Sequence, residues 1–205
     1  MKEHVVNKLN NFIMGWYADD TTFCDKFLNL YNSNLDKTQD GRFGTTGFID
    51  TKIKESKDLE MHPSKLLFGY DKILSDCKKK YIEKYQAVEC AQDFEIISPY
   101  YIQRYPAGGG FKVWHKERSS SKLPDVSRHL VFMTYLNDVK DEGGTEFYYQ
   151  GIKIRADKGL TLMWPADWTF THRGIVSPTE VKTIITGWYN LKDENENRNL
   201  LRRPS

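Results

Sequence analysis

The chain has 205 residues, of which 39% are hydrophobic and 14% aromatic, enough for a single domain with one sizeable core and no need of disulfides or an obligate partner. Its 30 Lys and Arg against 28 Asp and Glu leave a formal net charge of +2, which excludes a global electrostatic footprint for nucleic acid or an anionic membrane. The three cysteines, Cys24, Cys77 and Cys90, are odd in number, far apart and without a CxxC, so neither a disulfide framework nor a zinc ribbon is expected and a reducing compartment fits.

The first residues read MKEHVVNKLNNFIMGWYADD, where the apolar run Phe12 to Tyr17 is too short for a signal h-region and ends before two aspartates. No later run approaches the roughly 20 apolar residues needed to span a bilayer, so a soluble, cytoplasmic protein is expected. Residues 1–92 are rich in Lys, Glu and Leu, with apolar residues at helical spacing such as Phe27, Leu28, Leu30 and Tyr31, and read as a helical support region. The clearest stripe, Leu66, Leu67, Tyr70, Ile73, Leu74, Cys77, Tyr81 and Tyr85, predicts a helix over 64–87 with Ser64 as N-cap and lysines 78 to 80 on its solvated face.

From Asp93 the texture changes to short runs of β-branched and aromatic residues broken by Gly, Pro and Asp. Strands are predicted over 94–105, 111–115, 129–136, 145–149, 152–155, 160–164, 168–172 and 182–190. About eight short strands suggest a sandwich or open barrel over 93–190. The tail, 191–205, has too little apolar content to pack.

Among the five histidines, His115 and His172 stand out. Glu117 follows His115 by two residues, and in an extended segment such residues project to the same side. A His-x-carboxylate pair plus one distant histidine is the facial-triad pattern for non-haem iron(II). Taken alone, the pair fits better a hydrogen-bonded strand histidine beside a surface acid. His172 shifts the balance, because Arg173-Gly174 after it is a turn signal that sets it at a barrel mouth. His4 and His62 read as surface residues and His129 as a strand residue beside Arg128.

In KTIITGWY the two-residue period of a strand puts Lys182, Ile184, Thr186 and Trp188 on one face. A lysine there either snorkels into solvent from the strand end or awaits an anion, since a buried cation is costly unless paired and only Glu180 stands near it in sequence.

The segments YIQRYPAGGGFKVWHKE, RHLVFMTYLNDVKDEGGTEF, KGLTLMWPADWTFTHRG and VKTIITGWYN, in this order and spacing, resemble the catalytic domain of prolyl 4-hydroxylases, which are iron(II)- and 2-oxoglutarate-dependent oxygenases. More narrowly, they resemble the small oxygenases of this type in marine bacteriophages. The resemblance covers roughly residues 94 to 190. It implies a mainly β member of the α+β class, with a double-stranded β-helix (jelly-roll) core supported by N-terminal helices.

It further implies His115, Glu117 and His172 as iron ligands and Lys182 as the residue that binds the distal carboxylate of 2-oxoglutarate. Tyr105, Tyr135, Thr186 and Trp188 match positions that line or bind the co-substrate pocket. Gly143 and Gly144 match a tight turn. Most of the wider family carries His-x-Asp, whereas this chain has His115-Lys116-Glu117, longer by one methylene. The retained carboxylate argues against the halogenase variant, in which a small residue vacates that position.

The implied reaction hydroxylates a C–H bond using O2 and converts 2-oxoglutarate to succinate and carbon dioxide, with ascorbate as a possible reductant for iron(II). A prolyl residue in a peptide or protein is the expected substrate. Tyr101, Trp114, Trp168 and Trp188 form either an apolar mouth for an extended chain or part of the core. The polar loop 118–128 is either a substrate lid or a long hairpin connection, and the glycines at 108 to 110 a flexible element or a plain turn. Alternatives are the same chemistry on a free amino acid, another protein side chain or a modified base, and a non-catalytic metal- or ligand-binding barrel.

Overall fold

The computed structural model describes residues 1–4, 11–44, 47–89 and 93–192. In chain order the strands are β1 (Lys2–His4), β2 (Met14–Tyr17), β3 (Gln39–Asp40), β4 (Lys54–Glu55), β5 (Lys57–Met61), β6 (Phe94–Glu95), β7 (Tyr100–Tyr105), β8 (Gly110–Phe111), β9 (Arg128–Tyr135), β10 (Thr145–Phe147), β11 (Ile152–Ile154), β12 (Leu160–Pro165), β13 (His172–Gly174) and β14 (Lys182–Leu191). Two helices, α1 (Thr22–Asn32) and α2 (Tyr70–Lys84), separate β2 from β3 and β5 from β6.

A nine-stranded sheet runs in the order β1-β2-β12-β9-β14-β7-β5-β3, with β6 paired to the end of β14. A smaller sheet, β11-β10-β13, faces it, and β4 and β8 form a two-stranded ribbon. Every pairing is antiparallel. This is the mainly β double-stranded β-helix with helical support that the resemblance implies.

The period of two in the central strands divides the core into two layers. Along β9, Leu130 and Phe132 face α1 and α2, packing with Phe27, Tyr70 and Leu74. Val131, Met133 and Tyr135 face the small sheet, packing with Phe147 and Ile154. Strand β14 repeats this, with Ile185 and Tyr189 on the helix side and Ile184 and Trp188 on the other. The helix side is also stitched by a polar chain: the Tyr70 hydroxyl lies 2.7 Å from Thr134 Oγ1, which lies 2.8 Å from Thr161 Oγ1. Paired hydroxyls satisfy groups that would be costly to bury alone.

The N-terminal region departs from the helical expectation. It supplies β1, β2, β3 and β5 to the edges of the large sheet. The run containing Met14–Tyr17 is too short for periodicity to separate a buried strand from a helical turn. Gly15 suits the pairing, since a Cβ there would stand 2.9 Å from Leu162 Cδ2.

Helix α2 begins at Tyr70, not Ser64. Phe68 and Gly69 carry φ of 60° and 78°, so left-handed backbone interrupts any helix started upstream. Leu66 and Leu67 still pack on the core from this turn, and the stripe Tyr70, Leu74, Cys77 and Tyr81 is buried as expected. Lys79 and Lys80 are exposed, but Lys78 donates to the Phe94 carbonyl at 2.8 Å and covers the Phe94 ring.

The strand predicted over 94–105 is broken into β6 and β7, with Pro99, which has no N–H for a ladder, just before β7. The segment predicted as a strand over 168–172 is a 3-10 turn, Trp168–Phe170, ahead of β13. Cys24 and Cys77 are buried free thiols, while Cys90 and residues 193–205 of the tail lie outside the described residues. No helix among the described residues is long and apolar enough to cross a membrane.

Candidate active site

Two backbone hydrogen bonds of 2.9 Å join His115 and His172, each N–H donating to the other's carbonyl. This reciprocal pair sets both imidazoles on the same side, with ring centroids 4.3 Å apart. Nδ1 of His115 lies 3.1 Å from the Val113 carbonyl, and Nδ1 of His172 lies 2.9 Å from the Phe170 carbonyl. Carbonyl acceptors at both Nδ1 positions assign the proton there and leave each Nε2 lone pair free.

Both Nε2 atoms face Glu117, whose Oε1 is 3.2 Å from His172 and 3.7 Å from His115. The three ligand-type atoms lie within 4.8 Å of one another, a spacing one ion can bridge. Phe111 stacks on His115 at 3.6 Å, and Phe147 and Trp164 pack around His172. Burial and the adjacent His172 push the His115 imidazole down to about 3, so it is neutral. Burial alone would raise the Glu117 carboxyl, but its contact with His172, together with His115 and the Arg128 guanidinium, outweighs it and holds the group well below the ordinary carboxylate range. An anionic carboxylate with two imidazole lone pairs is a fitting donor set for a divalent cation.

Lys182 opens β14 and is 4% exposed. Its Nζ donates to the Ile175 carbonyl at 3.2 Å and lies 5.0 Å from the Tyr105 ring centroid. Among the described residues it forms no ion pair, and burial pushes its ammonium down to about 8. Glu180, its sequence neighbour, instead accepts from the backbone N–H groups of Lys140 and Asp141 at 2.7 Å each. Gly174 keeps the approach open, since a Cβ there would stand 3.4 Å from Nζ. A buried cation without a counter-charge is a receptor for an anion, because an incoming carboxylate restores the solvation it lost.

One cavity of about 670 Å3 joins the His115, Glu117 and His172 cluster to Lys182, and Tyr105, Tyr135, Thr186 and Trp188 also line it. Tyr105 donates to Gln103 Oε1 at 2.6 Å, and the Tyr135 hydroxyl lies 2.6 Å from Thr145 Oγ1. Burial raises both phenols well above their ordinary value, so both are neutral. The Thr186 hydroxyl donates to the Phe132 carbonyl at 3.2 Å. Trp188 does more than wall the cavity: its Nε1–H donates to Glu117 Oε2 at 2.9 Å.

Several neighbours escaped sequence reasoning. Arg128 stacks on Trp188 with its guanidinium carbon 3.7 Å from the ring centroid, and its only sequence signal was a charge at a strand entrance. Lys54, buried in the cavity wall, pairs with Asp58 at 2.7 Å. That i,i+4 pair looks like a helix-surface ion pair in a region read as helical.

Of the four aromatic residues considered for a mouth, Trp114 and Trp168 are exposed and Tyr101 and Trp188 half-buried in the cavity wall. Trp114, Tyr148, Tyr149 and Trp168 form an exposed row with successive centroid separations of 5.0, 5.1 and 5.9 Å. The loop 118–128 is drawn closed at its neck. Arg118 donates to the Arg128 carbonyl at 2.8 and 3.0 Å, and Arg128 donates to the Glu117 carbonyl at 2.7 Å. Of the three glycines, Gly108 turns with φ of 79°, and Gly109 leaves no room for a Cβ beside Pro106 and the Glu55 carbonyl.

The fold is shared with several solved structures. A prolyl-4-hydroxylase from Pseudomonas putida aligns with a TM-score of 0.65 at 13% identity, over 90% of this chain and 95% of that one. A prolyl hydroxylase from Trichoplax adhaerens, solved with a hypoxia inducible factor peptide fragment, aligns with a TM-score of 0.68 at 19% identity, over 98% and 91%. The viral collagen prolyl hydroxylase from Paramecium Bursaria Chlorella virus-1, solved with 2-oxoglutarate, gives 0.62 at 14% identity, over 90% and 98%. No match was found among curated protein sequences. The model of the 2OG-Fe(II) oxygenase superfamily matches residues 100–190, which span β7 to β14 and hold the histidine-carboxylate cluster and the buried lysine. Over that segment, the chain resembles the 2OG-Fe(II) oxygenase superfamily.

Proposed function

We propose that this oxygenase hydroxylates a prolyl residue within a peptide or protein, with iron(II) held by His115, Glu117 and His172 and 2-oxoglutarate anchored by Lys182. The observation that carries this reading is one cavity containing both a three-donor cluster of net charge near −1 and a buried ammonium with no carboxylate partner among the described residues. Two opposite, uncompensated charges at the two ends fit a cation and a dicarboxylate that bridges them.

Bound there, iron(II) supplies oxygen activation coupled to oxidative decarboxylation of 2-oxoglutarate to succinate and carbon dioxide. The protein's part is placement. Lys182 takes the distal carboxylate, and the phenols of Tyr105 and Tyr135, kept neutral by burial, line its approach without adding negative charge. Phe111 and Trp164 keep water from the ligand rings. The exposed aromatic row beginning at Trp114, itself in the cavity wall, supports an extended polypeptide rather than a free amino acid, because contiguous exposed aromatics mark surfaces that bind partners.

Anaerobic titration with iron(II) and 2-oxoglutarate is expected to give a weak visible charge-transfer band. Oxygen exposure with proline-rich peptides should then stimulate succinate formation. A band with succinate unresponsive to peptides would redirect the substrate to a free amino acid or another side chain. No band and no succinate would indicate a non-catalytic barrel.

A further inference from the structure

Glu117 is longer by one methylene than aspartate, and that extra rotatable bond has to be restrained if one oxygen is to stay on the two imidazoles. The structure shows how. Oε1 faces His115 and His172, while Oε2 is turned away and accepts the Trp188 indole N–H at 2.9 Å. The indole is in turn covered by the Arg128 guanidinium at 3.7 Å. Arg128 is itself tied to Asp125 at 3.0 Å and to the Glu117 carbonyl at 2.7 Å. Arg128 thus grips Glu117 twice, directly at its backbone and through Trp188 at its carboxylate.

We infer that Trp188 and Arg128 are positioning residues for the metal-facing carboxylate, a clamp that lets a glutamate present a single oxygen to the ion. This rests on the reading of Glu117 as a metal ligand. Partners that orient a ligand in this way are worth about 10–100-fold in metal affinity. A carboxylate shortened to aspartate retracts from the indole, so the clamp acts only on glutamate.

The test is a double-mutant cycle read by Mn(II) binding, with free Mn(II) followed by electron paramagnetic resonance and no co-substrate present. Trp188→Phe keeps an aromatic ring under Arg128 and deletes the N–H donor together with part of the ring. It should weaken Mn(II) binding about 10–100-fold in the Glu117 background and less than about 2-fold in the Glu117→Asp background. The Co(II) visible spectrum should change with Trp188→Phe only in the Glu117 background. Unchanged Mn(II) affinity in Trp188→Phe would overturn the clamp, and so would an equal loss in both backgrounds, which is what a purely structural tryptophan would give. If Trp188→Phe does not fold, Arg128→Met frees the indole without removing it, and wild-type affinity there also overturns the inference. A wild-type protein that binds no Mn(II) is a separate result, since it rejects the metal reading and the clamp falls with it.

Discussion

Replacing Lys182 by Met should make the protein more stable and blind to 2-oxoglutarate. Burial pushes the Lys182 ammonium from 10.5 down to about 8, and at about 1.4 kcal/mol per unit the buried charge costs the folded state about 3 kcal/mol. Methionine fills a similar volume without the charge. It also withdraws the hydrogen bond to the Ile175 carbonyl, but that residue is half-buried and water can replace the donor, so the loss is about 1 kcal/mol. The net expectation is a gain of about 2 kcal/mol at pH 7, or about 4–8 °C in Tm for a chain of this size.

Because the folded-state value is lowered, the unfolded chain binds more protons between about 8 and 10.5. Wild-type stability therefore rises with pH through that window, and the gap between variant and wild type closes there. Below pH 8 the full gap remains. Adding 2-oxoglutarate at about 100 times its Kd, with Mn(II) present, should raise wild-type stability by about 2.7 kcal/mol and leave the variant unmoved. Denaturant melts at pH 7 and pH 10, with and without 2-oxoglutarate, measure all four quantities. A Lys182→Met protein less stable than wild type, or one still stabilised by 2-oxoglutarate, would refute the reasoning.

Three further outcomes follow from the geometry. His172→Ala removes a donor that faces Glu117 at 3.2 Å, so Mn(II) binding and turnover should both be lost while the melting curve stays cooperative; retained turnover would contradict the metal assignment. Trp168→Ala, at the exposed end of the aromatic row, should raise KM for a peptide about 10-fold and leave KM for 2-oxoglutarate unchanged, in keeping with the 1–3 kcal/mol of a moderate interface anchor. Equal effects on both constants would place the row outside substrate binding. Leu74→Ala, fully buried between α2 and the large sheet, should cost about 2–5 kcal/mol in denaturant melts while Mn(II) affinity in the folded protein is unchanged, because the helices and the cavity lie on opposite faces of that sheet.

The central strands were legible because alternation is a strong signal when both faces are buried. VFMTY and KTIITGWY each split cleanly between the helix side and the cavity side. His115, Glu117 and His172 could be proposed from spacing, since a His-x-Glu pair in extended backbone has little choice of direction, although what closes the cluster is a reciprocal backbone pair between residues 57 positions apart. The start of α2 was missed because apolar spacing continues through Leu66 and Leu67, and only backbone dihedrals at Phe68 and Gly69 break it. The strands β3 and β4 were missed because they hold two residues each, too few to show a period. The bond from Trp188 to Glu117 joins residues 71 apart. No local pattern encodes it, and Trp188 was legible only as a member of a strand face.

The placement of β2 has a consequence for biosynthesis. Met14–Tyr17 closes onto β12, with Tyr17 opposite Leu160, so a segment made early finds its ladder partner only after roughly 140 more residues emerge. At about 5–20 residues per second, the backbone donors on its β12 side and the apolar face of Trp16 wait about 7–30 s on the ribosome. The β9, β12 and β14 strands that form the middle of the sheet are also translated late, after the strands at its ends. During that interval the early strand has only β1 beside it and its other edge is open, and chaperone binding to nascent chains should fall sharply once translation passes β12.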